Sequence, residues 1–518
     1  MQRRRGIIYV LTIAAIFVMF AVEVNAFEST FHGYFESNFV LRDTTGLQYG
    51  FMDQVEGVQQ RNTLKFDVDI YPDASAGDFS ISKVHLTFRG AYDSIYDFRA
   101  NEYGDIKDNL GASRFDYGRK DVKFESDLRE AFADLCYNGF LGSAFLRPGR
   151  QIVSWGEAGG ISTIMDIINP KDQSYQMFFQ KPDDVKIPLW MGRLNYSTPA
   201  MKGLALNFDL LWVPDIRPAQ FGPFDSVAGN RSVGLQAPYI KILPFGSFVG
   251  ADVRQKVPTE EQEYGAKVTA DIGDRLSVSA AYYRDVNNDF GAVISHMSGG
   301  VPVTLANVFA RIPPDEYLLT HNVQHVYGSY FSYNIAELDL VIRGEIARHT
   351  GEPISLNTRY FRNTPDGLAT FAYRPVTRWY LAADKKIKVP FITDHERTSF
   401  GFEWAHEKIN EWDGALFNKS ESSKTGSKVR DLDIFGFSVS WSWWEGRIAP
   451  YFLVYYNPGR PGAGGGSAMI HPEVTWQISS NLYANMGLQA FFGDKTSRSS
   501  YAGLVPTSEM TFKLGYNW

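Results

Sequence analysis

Residues 61–70 read RNTLKFDVDI, and from Leu64 onward the even positions are apolar while the odd positions are polar or charged. Successive side chains of a β-strand point to opposite faces of the sheet. A strand over this stretch therefore has one apolar face and one polar face. The same alternation recurs at 204–212, 473–478 and 510–518, so the pattern extends over much of the chain.

The alternation and the turn residues between the apolar runs predict about eighteen strands, with sixteen as the alternative count. The predicted strands lie near 28–42, 59–72, 78–92, 128–138, 143–154, 189–198, 203–214, 262–272, 275–287, 320–335, 338–350, 376–389, 397–410, 430–443, 446–457, 467–478, 481–493 and 507–517. Their connections alternate between long and short along the chain.

This alternation of connection lengths distinguishes two kinds of β-protein. A soluble β-sandwich also has strands with one polar face, but it gives no reason for long and short connections to alternate. A transmembrane barrel has tight periplasmic turns and long extracellular loops. We therefore expect an all-β chain that forms a transmembrane antiparallel β-barrel, with both termini on the periplasmic side. Aromatic clusters near predicted strand ends, such as 441–444, suit a membrane–water boundary.

The N-terminus resembles a signal peptide. Arg3, Arg4 and Arg5 precede an apolar run over 6–22, and Val24-Asn25-Ala26 offers a small-residue cleavage site. We expect residues 1–26 to be a signal peptide and 27–518 to be one barrel domain. A retained transmembrane anchor is the alternative interpretation.

Composition excludes several other classes of protein. The formal charge is −7, and no basic stripe suggests nucleic acid as a partner. The single cysteine, Cys136, rules out an internal disulfide framework and a multi-cysteine metal site. We expect no cofactor and no metal site.

If the apolar face contacts lipid, the polar face lines a channel. An eighteen-stranded barrel is too wide for its side chains to fill, and cations and anions occur on the polar face in similar number, which predicts no charge preference. The candidate pore-lining residues are Lys65, Asp67, Arg193, Asp209, Lys267, Arg343, Glu345, Glu403, Glu473 and Lys513.

The long connection at 155–188 is the candidate for a loop that constricts the lumen. It carries Ile161, Ile164, Met165, Ile167 and Ile168, and these side chains are too apolar for a loop surrounded by water. Folding into the lumen would cover them. Packing against other extracellular loops is the alternative.

The segment around this loop resembles a known family. Residues 149–157 read GRQIVSWGE and residues 168–172 read INPKD. They are similar to the GRQ-x-V-x-W-G-E and I-N-P-x-D signature of a proteobacterial outer-membrane family catalogued as domain of unknown function 1302. The resemblance implies an outer-membrane barrel that serves uptake or export, with hydrophobic or aromatic compounds among the substrates it suggests.

The same segment suggests how the loop is held. Arg150 and Gln151 end the strand that enters the loop, Trp155 lies at the turn out of that strand, and Asn169 precedes a proline that favours a turn. Asp172 could form a salt bridge with Arg150. The candidate loop-anchoring residues are therefore Arg150, Gln151, Trp155, Asn169 and Asp172.

Catalysis is not indicated by the sequence. The nine histidines are scattered, and the chain has neither a Gly-x-Ser-x-Gly elbow nor a His-Glu-x-x-His motif. We expect a Gram-negative outer-membrane porin or channel for small molecules whose identity the sequence does not give. Its other partners would be membrane lipid and the barrel-insertion machinery. The alternatives are an outer-membrane component of an export system, with a periplasmic or inner-membrane partner, and a structural or adhesive surface barrel.

Overall fold

The computed structural model describes residues 27–43, 55–72, 74–98, 124–140, 142–158, 164–173, 182–221, 252–312, 314–356, 358–390, 392–393, 397–413, 415–416, 430–459, 466–493 and 508–518. The predicted signal peptide at 1–26 lies outside these residues. Among them, no helix is both long enough and apolar enough to cross a membrane.

Eighteen long strands form one antiparallel sheet that closes on itself. In chain order they are β1 Phe27–Asp43, β2 Val55–Pro72, β3 Phe79–Asp93, β4 Phe124–Gly139, β5 Gly142–Gln151, β6 Leu189–Ser197, β7 Leu204–Val213, β8 Glu263–Ile272, β9 Leu276–Val286, β10 Val323–Ile335, β11 Leu340–Ser355, β12 Phe371–Ile387, β13 Thr398–Ile409, β14 Asp431–Ser440, β15 Ile448–Asn457, β16 Ser467–Gln477, β17 Leu482–Gly493 and β18 Ser508–Asn517. Each strand pairs with the next, and β1 pairs with β18 from Tyr34↔Asn517 to Asp43↔Ser508. The predicted barrel of eighteen strands is confirmed.

The apolar face of the sheet is the exposed one. Leu64 and Phe66 are 51% and 37% exposed, and Phe208, Trp476 and Leu514 are exposed in the same way. A soluble protein of this size would bury such side chains in a core. The barrel thus presents its apolar face outward and its polar face inward, as the alternation predicts.

The strands are joined alternately by short turns at one end and long connections at the other, which we call the turn end and the loop end. At the turn end, Gly77 and Gly273 both adopt a φ of 62°, in the left-handed region that glycine enters without strain. Cys136 lies on β4 close to this end, and its Sγ lies 3.2 Å from Ser82 Oγ.

The long connections contain structure that the alternation did not predict. Five short strands form a second sheet at the loop end: Asp252–Lys256, Gly291–Met297, Pro314–Thr320, Arg362–Thr364 and Gly367–Ala369. Two further strands, Asp172–Gln173 and Gln220–Phe221, pair in parallel, and Ala74–Ala76 pairs with β3. Among the described residues the helices are short: Ile95–Phe98, Pro182–Val185 and Leu305–Phe309. 3₁₀ turns lie in the long connections at Ser298–Gly300 and Thr358–Tyr360, and at the turn end at Ala336–Leu338.

One predicted strand was wrong at its start. The interval 320–335 was predicted as a single strand, but Pro314–Thr320 belongs to the second sheet and β10 begins at Val323. His321, between the two, donates a hydrogen bond from its Nδ1 to the carbonyl of Asn287, 2.8 Å away. The chain therefore changes direction between these two strands, where a count of apolar residues detects no break.

Candidate functional site

The candidate pore-lining residues share the inner face of the barrel wall. Each lies an odd number of positions from an exposed apolar side chain on its own strand, as Lys65 does from Leu64 and Lys513 does from Phe512. The residues placed on this face are Lys65, Asp67, Arg193, Asp209, Lys267, Arg343, Glu345, Glu403, Glu473 and Lys513. Their role in conduction stays a prediction.

Ion pairs connect many of these residues across neighbouring strands. Asp209 is fully buried and accepts hydrogen bonds from Arg193 at 3.0 and 2.8 Å, while Lys267 Nζ lies 3.5 Å from the same carboxylate. Arg343 binds Asp384 at 2.7 Å. An unpaired buried charge would destabilise the fold. These ion pairs therefore allow the inner wall to carry many charged side chains.

Glu345 holds the loop at 155–188 against β11. Its carboxylate accepts three backbone hydrogen bonds, from the N–H groups of Glu157 at 2.6 Å, Ala158 at 2.7 Å and Met165 at 2.7 Å. Arg343 also donates to the carbonyl of Glu157 at 2.9 Å. Glu345 is therefore buried beneath the loop, and its described contacts are with the loop backbone.

Trp155 joins the loop to the wall at β7, β8 and β9. Its indole Nε1 donates to Asp209 at 3.1 Å, Tyr283 packs edge-on at 6.0 Å between ring centroids, and Lys267 Nζ lies 5.5 Å from the ring centroid. A Cβ on Gly265 would lie 2.9 Å from the Trp155 ring. The glycine thus leaves the space that the indole fills.

Asn169 fastens the two ends of the loop together. Its side-chain oxygen accepts from the Val153 N–H at 2.8 Å, and its amide donates to the carbonyls of Gln151 at 3.2 Å and Ile187 at 2.9 Å. Gln151 is fully buried and donates to the carbonyls of Arg147 and Met191. One amide side chain therefore joins the residues just before the loop to the last residues of the loop.

The predicted salt bridge between Arg150 and Asp172 is wrong. Arg150 instead pairs with Asp127 on β4 at 2.8 Å, and it also donates to the carbonyls of Pro188 and Leu128. Asp172 lies in the short parallel pair with Gln220. Asp127 is preferred because β4 and β5 are adjacent strands, which brings its carboxylate beside the guanidinium.

The far part of the loop contacts the wall at β1, β3 and β4. Tyr34 donates to the Asp184 carboxylate at 3.0 Å, and Arg89 donates to the Asp184 carbonyl at 3.0 Å. Arg129 donates to the carbonyl of Lys186. The pairing of β3 with β4 changes register between Thr87 and Phe88, which leaves Arg129 as an extra residue in β4. Such a bulge redirects a side chain. None of Tyr34, Arg89 and Arg129 was among the residues predicted to anchor the loop.

The loop therefore crosses the barrel from wall to wall. Its contacts at Asp184 involve β1, β3 and β4, whereas those of Glu157 and Met165 involve β11, about half of the ring away. The apolar loop residues are buried in one cluster with inner-wall side chains: Ile164, Met165, Ile167 and Ile168 pack with Leu189, Met191, Leu211, Val213, Tyr283, Val326, Tyr330 and Ala347. Ile161 lies outside the described residues.

Burial also changes the acidity of two loop residues. It raises the pKa of Glu157 above its ordinary value, although Arg343 and Lys267 act in the opposite direction. It lowers the pKa of Lys171. Both shifts favour the neutral form. In the part of the chain that the structure describes, no group of three or more His, Cys, Asp or Glu residues could hold a metal ion.

Comparisons with known proteins give one family and several distant structures. The model of a family described as Protein of unknown function (DUF1302) matches residues 12–517. No curated protein matches this chain.

Three solved structures illustrate the structural similarity. Acinetobacter baumannii OccAB1 is 9% identical with a TM-score of 0.47, and the alignment covers 96% of this chain and 98% of that one. Pseudomonas aeruginosa OccK11 (OpdR) is 10% identical with a TM-score of 0.41, covering 94% and 95%. An anion-selective porin from Comamonas acidovorans is 11% identical with a TM-score of 0.35, covering 95% and 99%. No conclusion about substrate follows from identities this low.

Proposed function

The chain belongs to the family described as Protein of unknown function (DUF1302), and we propose that it is an outer-membrane channel that lets small molecules cross. The observation that carries this proposal is the inner wall. Charged side chains on well-separated strands, including Lys83 on β3, Asp384 on β12 and Glu473 on β16, keep accessible surface although they face the interior of the barrel. Water must reach them, since charges in a dry interior would be far more costly.

The location follows from the outer face. A belt of exposed apolar side chains surrounds a closed sheet, and closure satisfies every backbone group that would otherwise meet lipid unpaired. Lipid is the solvent that such a belt requires. We place the turn end in the periplasm and the loop end outside the cell, as in barrels with short periplasmic turns. The barrel-insertion machinery is a further proposed partner.

The loop at 155–188 is proposed to narrow the channel. Its contacts reach opposite walls, and charge-assisted hydrogen bonds to Glu345 hold it there. The solutes are proposed to be small and polar. The apolar side chains of the described loop residues are buried in the cluster, whereas the accessible groups of the wall are charged. Passage of hydrophobic or aromatic compounds, which the family resemblance implies, stays a prediction.

Planar-bilayer recording of the purified protein tests the proposal. We expect discrete conductance steps in potassium chloride, and none from detergent buffer alone. A folded barrel that conducts nothing would contradict the channel and would favour a structural surface protein. Conductance that appears only with a co-purifying protein would favour an export component instead.

A further inference from the structure

The ion pairs near the turn end do not expose their two members equally. Near this end, the cation is the more accessible member of the pairs formed by Lys83 on β3, Arg147 on β5 and Arg193 on β6. Lys83 is 27% exposed and its partner Asp69 is 8% exposed, while Arg147 is 23% exposed and its partner Asp134 is 8%. Arg193 and Asp209 follow the same order, at 22% and 0%. The carboxylates lie beneath, and the cationic groups face the lumen.

The opposite wall has the reverse order. Asp384 on β12 is 41% exposed and its partner Arg343 is 24% exposed. Glu473 on β16 is 28% exposed and its neighbour His471 is 5% exposed. In both of these pairs the carboxylate is the more accessible member.

The two sets face each other at a similar height. Five strands, β7 to β11, separate the accessible cations from the accessible carboxylates on one side of the ring, and four strands, β17, β18, β1 and β2, separate them on the other. Lys83, Arg147, Arg193, Asp384 and Glu473 all lie within about five residues of the turn end of their strands, which is about 17 Å at the rise of a strand.

We propose that this ring of side chains produces an electric field across the lumen, directed from the wall of β3 to β6 toward the wall of β12 to β16, and that it selects small zwitterionic solutes. A solute that carries separated positive and negative groups can align with such a field and contact both walls. A neutral solute of the same size gains nothing from it. Fixed charges of opposite sign in a narrow, partly desolvated passage interact far more strongly than they do in bulk water.

The inference rests on the proposed channel function and names its substrate class. The pairing pattern also explains why counting charges predicts no preference. Both signs are present in similar number, but near the turn end the more accessible member of each pair differs in sign between the two walls. A channel of this kind discriminates by the charge separation within a solute and only weakly by its net charge.

Liposome swelling tests the inference with two probes of equal heavy-atom count, zwitterionic 4-aminobutyrate and neutral pentanamide. We expect 4-aminobutyrate to enter wild-type proteoliposomes several times faster than pentanamide. The double variant Lys83→Gln, Glu473→Gln removes one accessible charge from each wall without changing the net charge. The ratio of the two rates should then fall toward one, and continued entry of pentanamide reports that the pore is intact.

The matched control is Arg275→Gln, Glu337→Gln, which removes an exposed ion pair from the turns outside the barrel. It should keep the wild-type ratio. Equal entry of both probes through the wild-type protein, or an unchanged ratio in the Lys83/Glu473 variant, overturns the inference and leaves the channel standing. If neither probe enters, the channel function itself is refuted.

Discussion

Replacing Glu345 by Gln should release the loop at 155–188 from the wall. The carboxylate accepts three backbone N–H groups at 2.6 to 2.7 Å in a buried position. Hydrogen bonds to a charged group contribute about 1.5 to 3 kcal/mol each. The glutamine amide can still accept a hydrogen bond through its oxygen. Its NH₂ group, however, faces a backbone N–H, and two donors cannot form a hydrogen bond with each other.

We therefore expect the seated state of the loop to become less stable, relative to the released state, by about 3 kcal/mol. At least one of the three hydrogen bonds is lost, and the others no longer have a charged acceptor. That loss lowers the ratio of seated to released loop roughly 100-fold. In single-channel recordings, Glu345→Gln should raise the mean conductance and increase open-channel noise. Trypsin should also cut the loop faster at lysines that the seated state covers, such as Lys186.

Glu403→Gln is the matched control. Glu403 is also an inner-wall carboxylate, but its described partners are the hydroxyl groups of Tyr380 and Tyr455. It should leave loop cleavage at the wild-type rate. If Glu345→Gln folds, as judged by heat-modifiable mobility on gels, and yet matches the wild type in conductance and cleavage, then Glu345 does not hold the loop.

Three further predictions concern the same loop. Arg150→Ala leaves Asp127 without its partner and should change single-channel conductance; unchanged conductance together with unchanged protease resistance would count against an anchoring role. Gly328→Val should push the loop away from β10, because even a Cβ there would lie 2.3 Å from Met165 Sδ, and faster trypsin cleavage is the expected readout, with no change in cleavage arguing against this contact. Burial raises the pKa of Glu157, so the seated loop is stabilised at pH values below the ordinary carboxyl pKa and loses that contribution as the pH rises through the raised pKa. Conductance should therefore increase with pH over that interval, and Glu157→Gln should remove the dependence; a wild-type conductance that does not vary with pH would oppose it.

Alternation was sufficient to predict the two faces of each strand, because a residue's face on a strand depends only on its parity. Leu64 and Phe66 on one face, with Lys65 and Asp67 on the other, already determine which side meets lipid. The alternating connection lengths then favoured a transmembrane barrel over a soluble sandwich. Neither inference needs knowledge of which distant residues meet.

The contacts of the loop could not be predicted in the same way. Glu345 is 188 residues from Glu157 along the chain, and no spacing rule connects an acidic residue on β11 with backbone N–H groups in a loop after β5. Arg129 turns inward because of a bulge, which depends on the register with β3. The sequence pointed to Asp172 as the partner of Arg150, but the structure places Asp127, on the adjacent strand β4, beside the guanidinium.

The exposed fraction of each charged side chain could not be predicted from the sequence either. The sequence shows that Lys83 and Asp69 share a face, but not that the lysine covers the carboxylate. That order depends on the packing of neighbouring strands. The sequence thus identifies the residues of the inner wall. It does not identify which part of that wall exposes positive side chains and which part exposes negative ones.

The most direct test of a barrel with apolar side chains outside and water inside is thiol labelling at four consecutive positions of β2. In a background with Cys136 replaced by Ser, single cysteines are placed at Thr63, Leu64, Lys65 and Phe66, and each protein is reconstituted into liposomes. A small, membrane-impermeant maleimide should label positions 63 and 65 and leave 64 and 66 unlabelled until detergent is added. Labelling of 64 and 66 in intact liposomes, or equal labelling at all four positions, would contradict the account.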